Sequence, residues 1–347
     1  MIKLDQTNHF TPPEEWLEIQ TIEAHTGGEP LRIITHGYPE LKGKTLLEKR
    51  HDAYKNHDNI RTAIMWEPRG HADMYGAIIV EPDTPGADFG VIFIHNEGYS
   101  TGCGHAVIAL TKVFVETNLI SKAGPEIEVK IDVPSGLIRS YAKIENGEVV
   151  SVRFQNVPSF VQSLNAELDV PSLGNIKYDL AFGGAFYAFV NVNQVGLDCT
   201  EKNYNRLIAK GMQIKNAITK EVKMVHPTES DMNFLYGTIF TDSPENPNHH
   251  SRNVCIFAEG ELDRSPTGTG VSARAAIHHE RGEIDIGESI TIESIIGSIF
   301  SVKVEETTVF GQYNAVIPEV TGNAFITGKN TLWINPNDPL KSGFILR

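Results

Sequence analysis

Alternation of apolar and polar positions starts at Ile19. IQTIEAH and LRIITHGYP carry the two-residue period of half-buried strands, separated by the loop Thr26-Gly27-Gly28-Glu29-Pro30. The period then changes: in LLEKRHDAYKNHDNIRTAIMW, Leu47, Tyr54, Ile60 and Ile64 recur among polar residues without an internal Gly or Pro, which predicts a helix. Strands YGAIIVEP and GVIFIHN follow. A turn-rich stretch, Glu97-Gly98-Tyr99-Ser100-Thr101-Gly102, leads into CGHAVIALTKVFVETN, whose Val107, Leu110, Val113 and Phe114 share one side, as in a core helix. IEVKIDVP, GLIRSYAKIE and EVVSVRFQNV read as three strands joined by turns at Ser135-Gly136 and Asn146-Gly147.

The second half repeats this order. A strand around FYAFVNVNQV precedes a helix around EKNYNRLIAKGMQIKNAI, then strands FLYGTIFT and NVCIFAEG. The turn Leu262-Asp263-Arg264-Ser265-Pro266 opens a helix at Thr267-Gly268-Thr269-Gly270, and SITIESI, SIFSVKVEE, NAVIPEV, NAFITG and TLWIN follow as strands. The two turn-to-helix junctions lie 164 residues apart, and superposing them places Gly104 on Gly268, Val107 on Val271 and Ala109 on Ala273. The expectation is two similar α/β (α+β) halves: residues 1–158, completed by about 325–347, and residues 159–324, with the crossover near Pro158. A length of 347 residues, at about 150 per domain, agrees with two.

Composition narrows the function. Hydrophobic residues at 40% and charged residues at 21% are globular, and the net charge of −14 without a basic block argues against nucleic acid and anionic membranes as partners. No apolar run reaches the ~20 residues of a membrane span, and MIKLDQTNHFTPPEEW, read as an arm, lacks the regions of a secretory signal. Three cysteines do not make a disulfide framework. The expectation is a soluble cytoplasmic enzyme with a small-molecule substrate, the choice between monomer and homodimer being left open.

A cysteine in the first turn of a helix has a lowered pKa, because unpaired N–H groups and the helix dipole favour the thiolate. Cys103 occupies that place between Gly102 and Gly104, with His105 two residues on. The second junction, Gly268-Thr269-Gly270-Val271-Ser272-Ala273, fits G-x-G-x-x-A. It does not directly follow an apolar strand, so a helix end approaching a small carboxylate fits better than a dinucleotide site. Asp263 beside it is expected to face an amine. Two helix ends for a carboxylate, flanked by acid/base groups, suit chemistry at the α-carbon of an amino acid.

HTGGEPLRI (25–33), RGHADMYGAI (69–78), GCGHAVIAL (102–110), GGAFYAFV (183–190), DRSPTGTGVSAR (263–274) and VTGNAFITG (320–328) resemble the proline racemase family over nearly the whole chain. The resemblance implies the diaminopimelate-epimerase-like fold: two pseudo-symmetric domains, each a sheet wrapped around a central helix, with the active site between them. It makes Cys103 the first catalytic position and Thr267 the second, where racemases and epimerases carry a second cysteine. Gly104, His105, Asp263, Gly268 and Thr269 fall on substrate-binding positions, and Gly102 stands where many members have Met. Neither a metal nor an organic cofactor is implied. An alcohol does not ionise usefully near neutral pH, so Thr267 cannot be the second base of a racemase. The Cys/Thr pairing resembles the family's trans-3-hydroxy-L-proline dehydratases. In their substrate the α-hydrogen and the 3-hydroxyl share one ring face, so one thiol could remove the proton and then assist departure of water. Alternatives are a proline racemase or 4-hydroxyproline epimerase and a non-catalytic amino-acid-binding protein.

Other candidates are expected to be structural. Cys255 is flanked by apolar residues, and Cys199 precedes a helix that Asp198 or Thr200 could cap. The pairs His249-His250 and His278-His279 lack metal-site spacing, and His25 and His71 either line the pocket or play a purely structural role.

Overall fold

A computed structural model describes residues 10–346 of the chain. Most of the N-terminal arm lies outside the described residues; of its end, the Phe10 ring meets Trp333 edge-on at 5.3 Å between centroids. The strands belong to one continuous sheet that rolls up twice.

Leu17–Thr26 and Glu29–His36 form a hairpin turning on Gly27 and Gly28, both at positive φ. Helix α1 (Leu46–Met65) carries the chain to Tyr75–Val80, parallel to Glu29–His36, and Phe89–His95 pairs antiparallel beyond it. Helix α2 (Gly104–Glu116) makes a second crossover, to Glu126–Val133, followed by the meander Gly136–Glu145 and Glu148–Gln155. The second half has the same plan. Phe186–Asn191 is joined through α3 (Tyr204–Glu221) to the parallel strand Leu235–Asp242. Ser251–Phe257 is joined through α4 (Gly268–Glu280) to Ser289–Glu293.

Closure exchanges strands between the halves. Tyr313–Gly322 pairs with Ser159–Val170 through Ala315 and Phe160, which seals the ring around α4. Its far end, Glu319 to Gly322, pairs with Glu148–Gln155, and after Asn323 the chain runs on as Ala324–Ile334 beside Leu17–Thr26. That last strand therefore completes the ring around α2.

Enclosure explains the two central helices. Every residue of α2 from Gly104 to Val115 is buried, as a helix apolar on all sides requires. In α4, buried Arg274 is satisfied by Asn253, Ser251 and His278. α1 lies outside the sheet and starts with a capping box of Thr45 and Glu48. It buries Leu46, Ala53, Ile60, Ala63 and Ile64, whereas Leu47 and Tyr54 are 55% and 63% exposed. The helix is where the spacing puts it, but the small Ala53 allows a closer approach to the sheet than Tyr54 would.

Three strands depart from the sequence reading. Ser159–Val170 and Gly174–Phe182, in which polar residues alternate with Leu164, Ala166, Leu168 and Val170 and with Ile176, Tyr178 and Leu180, were not expected. NAFITG and TLWIN are one strand, Ala324–Ile334, in which Gly328 to Asn330 keep their pairing with Glu23 to Thr21.

Candidate active site

The N-termini of α2 and α4 meet head to head. A Cβ on Gly104 would lie 2.9 Å from the Gly268 Cα, and one on Gly268 would lie 2.8 Å from the Gly104 Cα, so neither position accepts a side chain. The first-turn N–H groups of both helices have no acceptor within their own helix, and two positive dipole ends converge on one spot. Beside it, a cavity of about 320 Å³ opens between the halves, and Cys103, Gly104, His105, Asp263, Thr267, Gly268 and Thr269 all border it.

Cys103 is the N-cap of α2, in extended conformation, and its side chain caps nothing. Its Sγ lies 3.1 Å from His105 Nδ1. Burial pushes the His105 ring down to about 4, against the pull of Asp263 and of a hydrogen bond to the Pro30 backbone, so the ring is neutral near pH 7. A neutral ring that donates one N–H to the Pro30 carbonyl has its other nitrogen free to accept the Cys103 S–H. The lowered thiol pKa expected at a helix N-terminus is outweighed here. Burial, aided by Asp263 and Glu29, pushes the Cys103 thiol up, and the Ala106 N–H and Tyr75 hydroxyl offset this only in part.

Thr267 caps α4 at φ 69°, a conformation unfavourable for a β-branched residue. Its N–H donates to Ser265 Oγ at 3.1 Å and its hydroxyl donates to Asp263 Oδ2 at 2.8 Å. Asp263 Oδ1 accepts the Ser265 N–H at 2.7 Å, so one carboxylate fixes the whole junction. The hydroxyls of Tyr187 and Thr269 bond at 2.6 Å.

Several residues at this cavity were not foreseen. Glu29, buried in the Gly-Gly-Glu-Pro loop, accepts the Arg264 N–H at 2.8 Å. Burial and the neighbouring Asp263 hold its carboxyl well above the usual range. Tyr75 and His95 line the same wall as Cys103. Cys255 is fully buried, as expected, but it borders the cavity and its thiol hydrogen-bonds Thr267.

His25 and His71 stand apart from the cavity, on the structural side of the two roles left open for them. His25 accepts the Gly28 N–H at 3.2 Å and borders a different crevice, with Phe325 and Ile296. His71 is exposed and turns to the Ala72 carbonyl. Neither Asp198 nor Thr200 caps α3; Asp198 instead accepts from Thr200 and Asn203. Among the described residues, no three His, Cys, Asp or Glu side chains are arranged to hold a metal ion.

The proline racemase family model matches residues 21–345, and the chain belongs to that family. It is 51% identical over 346 residues to a protein of Colwellia psychrerythraea named trans-3-hydroxy-L-proline dehydratase, covering 100% of this chain and 98% of the relative. It is 43% identical over 329 residues to a 3-hydroxyproline 2-epimerase of Burkholderia multivorans, covering 95% and 98%. Among solved structures, a hydroxyproline epimerase from Agrobacterium vitis with bound trans-4-hydroxy-L-proline superposes with a TM-score of 0.89 at 32% identity, over 96% of each chain.

Proposed function

We infer that this chain is a trans-3-hydroxy-L-proline dehydratase, a hydro-lyase that yields Δ1-pyrroline-2-carboxylate. One observation carries the reading: the two helix N-termini present a thiol, Cys103, and an alcohol, Thr267, to one cavity. High identity to relatives named for that activity supports it.

In this reading the substrate carboxylate takes the N–H groups around Gly104, His105, Gly268 and Thr269, and the ring ammonium faces Asp263. Burial is the main reason the Cys103 thiol is held up; the ammonium offsets the smaller share owed to the neighbouring carboxylates and so favours the thiolate when substrate is in place. Cys103 removes the α-proton while the N–H groups spread the developing charge. The 3-hydroxyl leaves from the same face as water, and the enamine tautomerises. Thr267 orients the ring from the other face and cannot reprotonate it with inversion. Residues 1–158 with about 325–347, and residues 159–324, act as two domains that close on substrate. A cytoplasmic enzyme and a homodimer belong to the same reading; among the described residues no helix is long and apolar enough to cross a membrane.

Incubation with trans-3-hydroxy-L-proline should yield pyrroline-2-carboxylate, while L-proline and the 4-hydroxyprolines should not be inverted. Inversion without dehydration would make the protein an isomerase, and neither would make it a binding protein. Thr267→Cys supplies a second thiol and should introduce slow α-epimerisation. If no inverted product forms in D2O, residue 267 does not face the α-carbon.

A further inference from the structure

Syn elimination needs two proton movements on one face of the ring: one away from the α-carbon and one onto the departing hydroxyl. The expectation from sequence assigned both to Cys103. We propose that His95, held by Glu261 of the opposite half, donates the proton to the departing 3-hydroxyl; this assignment rests on the dehydratase reading.

Position is the first argument. His95 ends the strand Phe89–His95, borders the cavity and is 7% exposed. Its ring stacks on Tyr75 with centroids 5.7 Å apart, and Tyr75 meets the His105 ring edge-on at 4.8 Å. The Tyr75 hydroxyl also reaches the Cys103 thiol. His95 therefore stands on the Cys103 side of the cavity, the side that the α-hydrogen and the hydroxyl share.

Availability is the second. On that side, Tyr75 is already engaged with Ser100 and Cys103, and His105 with Cys103 and the Pro30 backbone. Of the other polar groups at the cavity, Glu29 accepts the Arg264 N–H, Arg50 donates to the Tyr99 carbonyl, and Lys215, from the second half, donates to the Ala258 carbonyl. In the neutral ring His95 Nδ1 takes the Glu97 N–H at 3.3 Å; Glu261 Oε1, 3.8 Å away, is placed to face the Nδ1–H of the charged ring instead. With Nδ1 turned to those partners, Nε2 is the nitrogen left for the cavity.

A partner carboxylate is the third. Glu261 is fully buried in the short strand Glu261–Leu262, immediately before Asp263. The same turn that places Asp263 at the substrate places Glu261 at His95.

The step balances. The Cys103 thiolate takes the α-proton and becomes a thiol, and the Cα–H electron pair forms the Cα=C3 bond. The C3–O bond breaks with its pair going to oxygen, and the His95 imidazolium gives that oxygen a proton and becomes neutral. Water leaves. The Cys103 thiol then gives its proton to C3 and returns to thiolate, while the ring nitrogen loses two protons, one restoring the His95 imidazolium and one passing to solvent, which leaves the imine. His95 is thus an acid for the leaving group, and Glu261 is its positioning residue.

The test follows trans-3-hydroxy-L-proline in D2O with wild type, His95→Gln, His95→Asn and Glu261→Gln, each checked by thermal melting. In the His95 variants kcat for dehydration should fall roughly 10²–10⁴-fold with KM within a few-fold. Recovered substrate should carry α-deuterium, because Cys103 still removes and returns the proton. Glu261→Gln should lose less, about tenfold. Dehydration by the folded His95→Asn or His95→Gln protein within tenfold of wild type overturns the proposal. So does parallel loss of exchange and dehydration, which would make His95 a wall of the pocket. Wild type that forms no pyrroline product sinks the dehydratase reading itself, a result distinct from either of these.

Discussion

The first turns of α2 and α4 occupy equivalent places in the two halves and are held in opposite ways. Cys103 sits in relaxed extended backbone, caps nothing, and rests its thiol against a neutral imidazole. Thr267 sits at positive φ with both its N–H and its hydroxyl engaged, through Ser265 and Asp263. A proton shared between sulfur and an uncharged ring can move; a hydroxyl tied to a buried carboxylate cannot. The lesson of the comparison is that near-symmetric scaffolds need not carry symmetric chemistry. The two caps differ in residue type and in the partners that hold it, and the proposed division of labour between the halves rests on that difference.

The largest expected effect falls on the mobile side. Cys103→Ser should lower dehydration by about 10⁴-fold while leaving the melting temperature close to wild type. Substantial turnover in that variant would erase the contrast between the two caps.

Next comes pH. The His105 pKa is near 4 in the fold against 6.5 as its ordinary value. Above pH 6.5 the ring is neutral in both folded and unfolded chains and contributes no pH dependence. As pH falls from 6.5 towards 4, the unfolded chain takes up a proton that the folded protein refuses, so stability drops, by up to about 3 kcal/mol. His278, pushed down to about 4 by burial and Arg274, adds to the same window. Urea unfolding of wild type and His105→Asn at pH 7 and pH 4.5 should show a smaller drop in the variant; equal drops would mean His105 is not held neutral.

The contact between the caps comes next. Gly268→Ala places a methyl against the Gly104 backbone and should cost about 1–3 kcal/mol along with activity. Gly102→Ala is the control: its Cβ would meet only the Ser135 hydroxyl, at 3.2 Å, and melting should scarcely change.

Much of this was legible in the chain. The glycine-flanked junctions 164 residues apart locate both central helices and every residue that brackets the cavity on the helix side. Glu29, Tyr75 and His95 were not assigned to it. They stand on strands and a hairpin turn, where a buried polar residue looks like any other, and only closure of the sheet brings them to Cys103. The direction of the thiol shift was also illegible, because the helix dipole can be read from position while burial and the carboxylates of the opposite half cannot. The strand Ser159–Val170 was not expected either; it carries Gln162, Ser163, Asn165, Glu167 and Asp169 among its apolar residues.

The strand exchange bears on how the molecule is made. Ile334 pairs with Leu17, so the ring around α2 closes only when a strand that follows the whole second half in sequence returns to the first. Until then the Cys103 helix, apolar on every side, has an open seam in its wrapping. Hydrogen exchange should therefore find α2 and the strand Ala324–Ile334 protected together, as one late-closing unit.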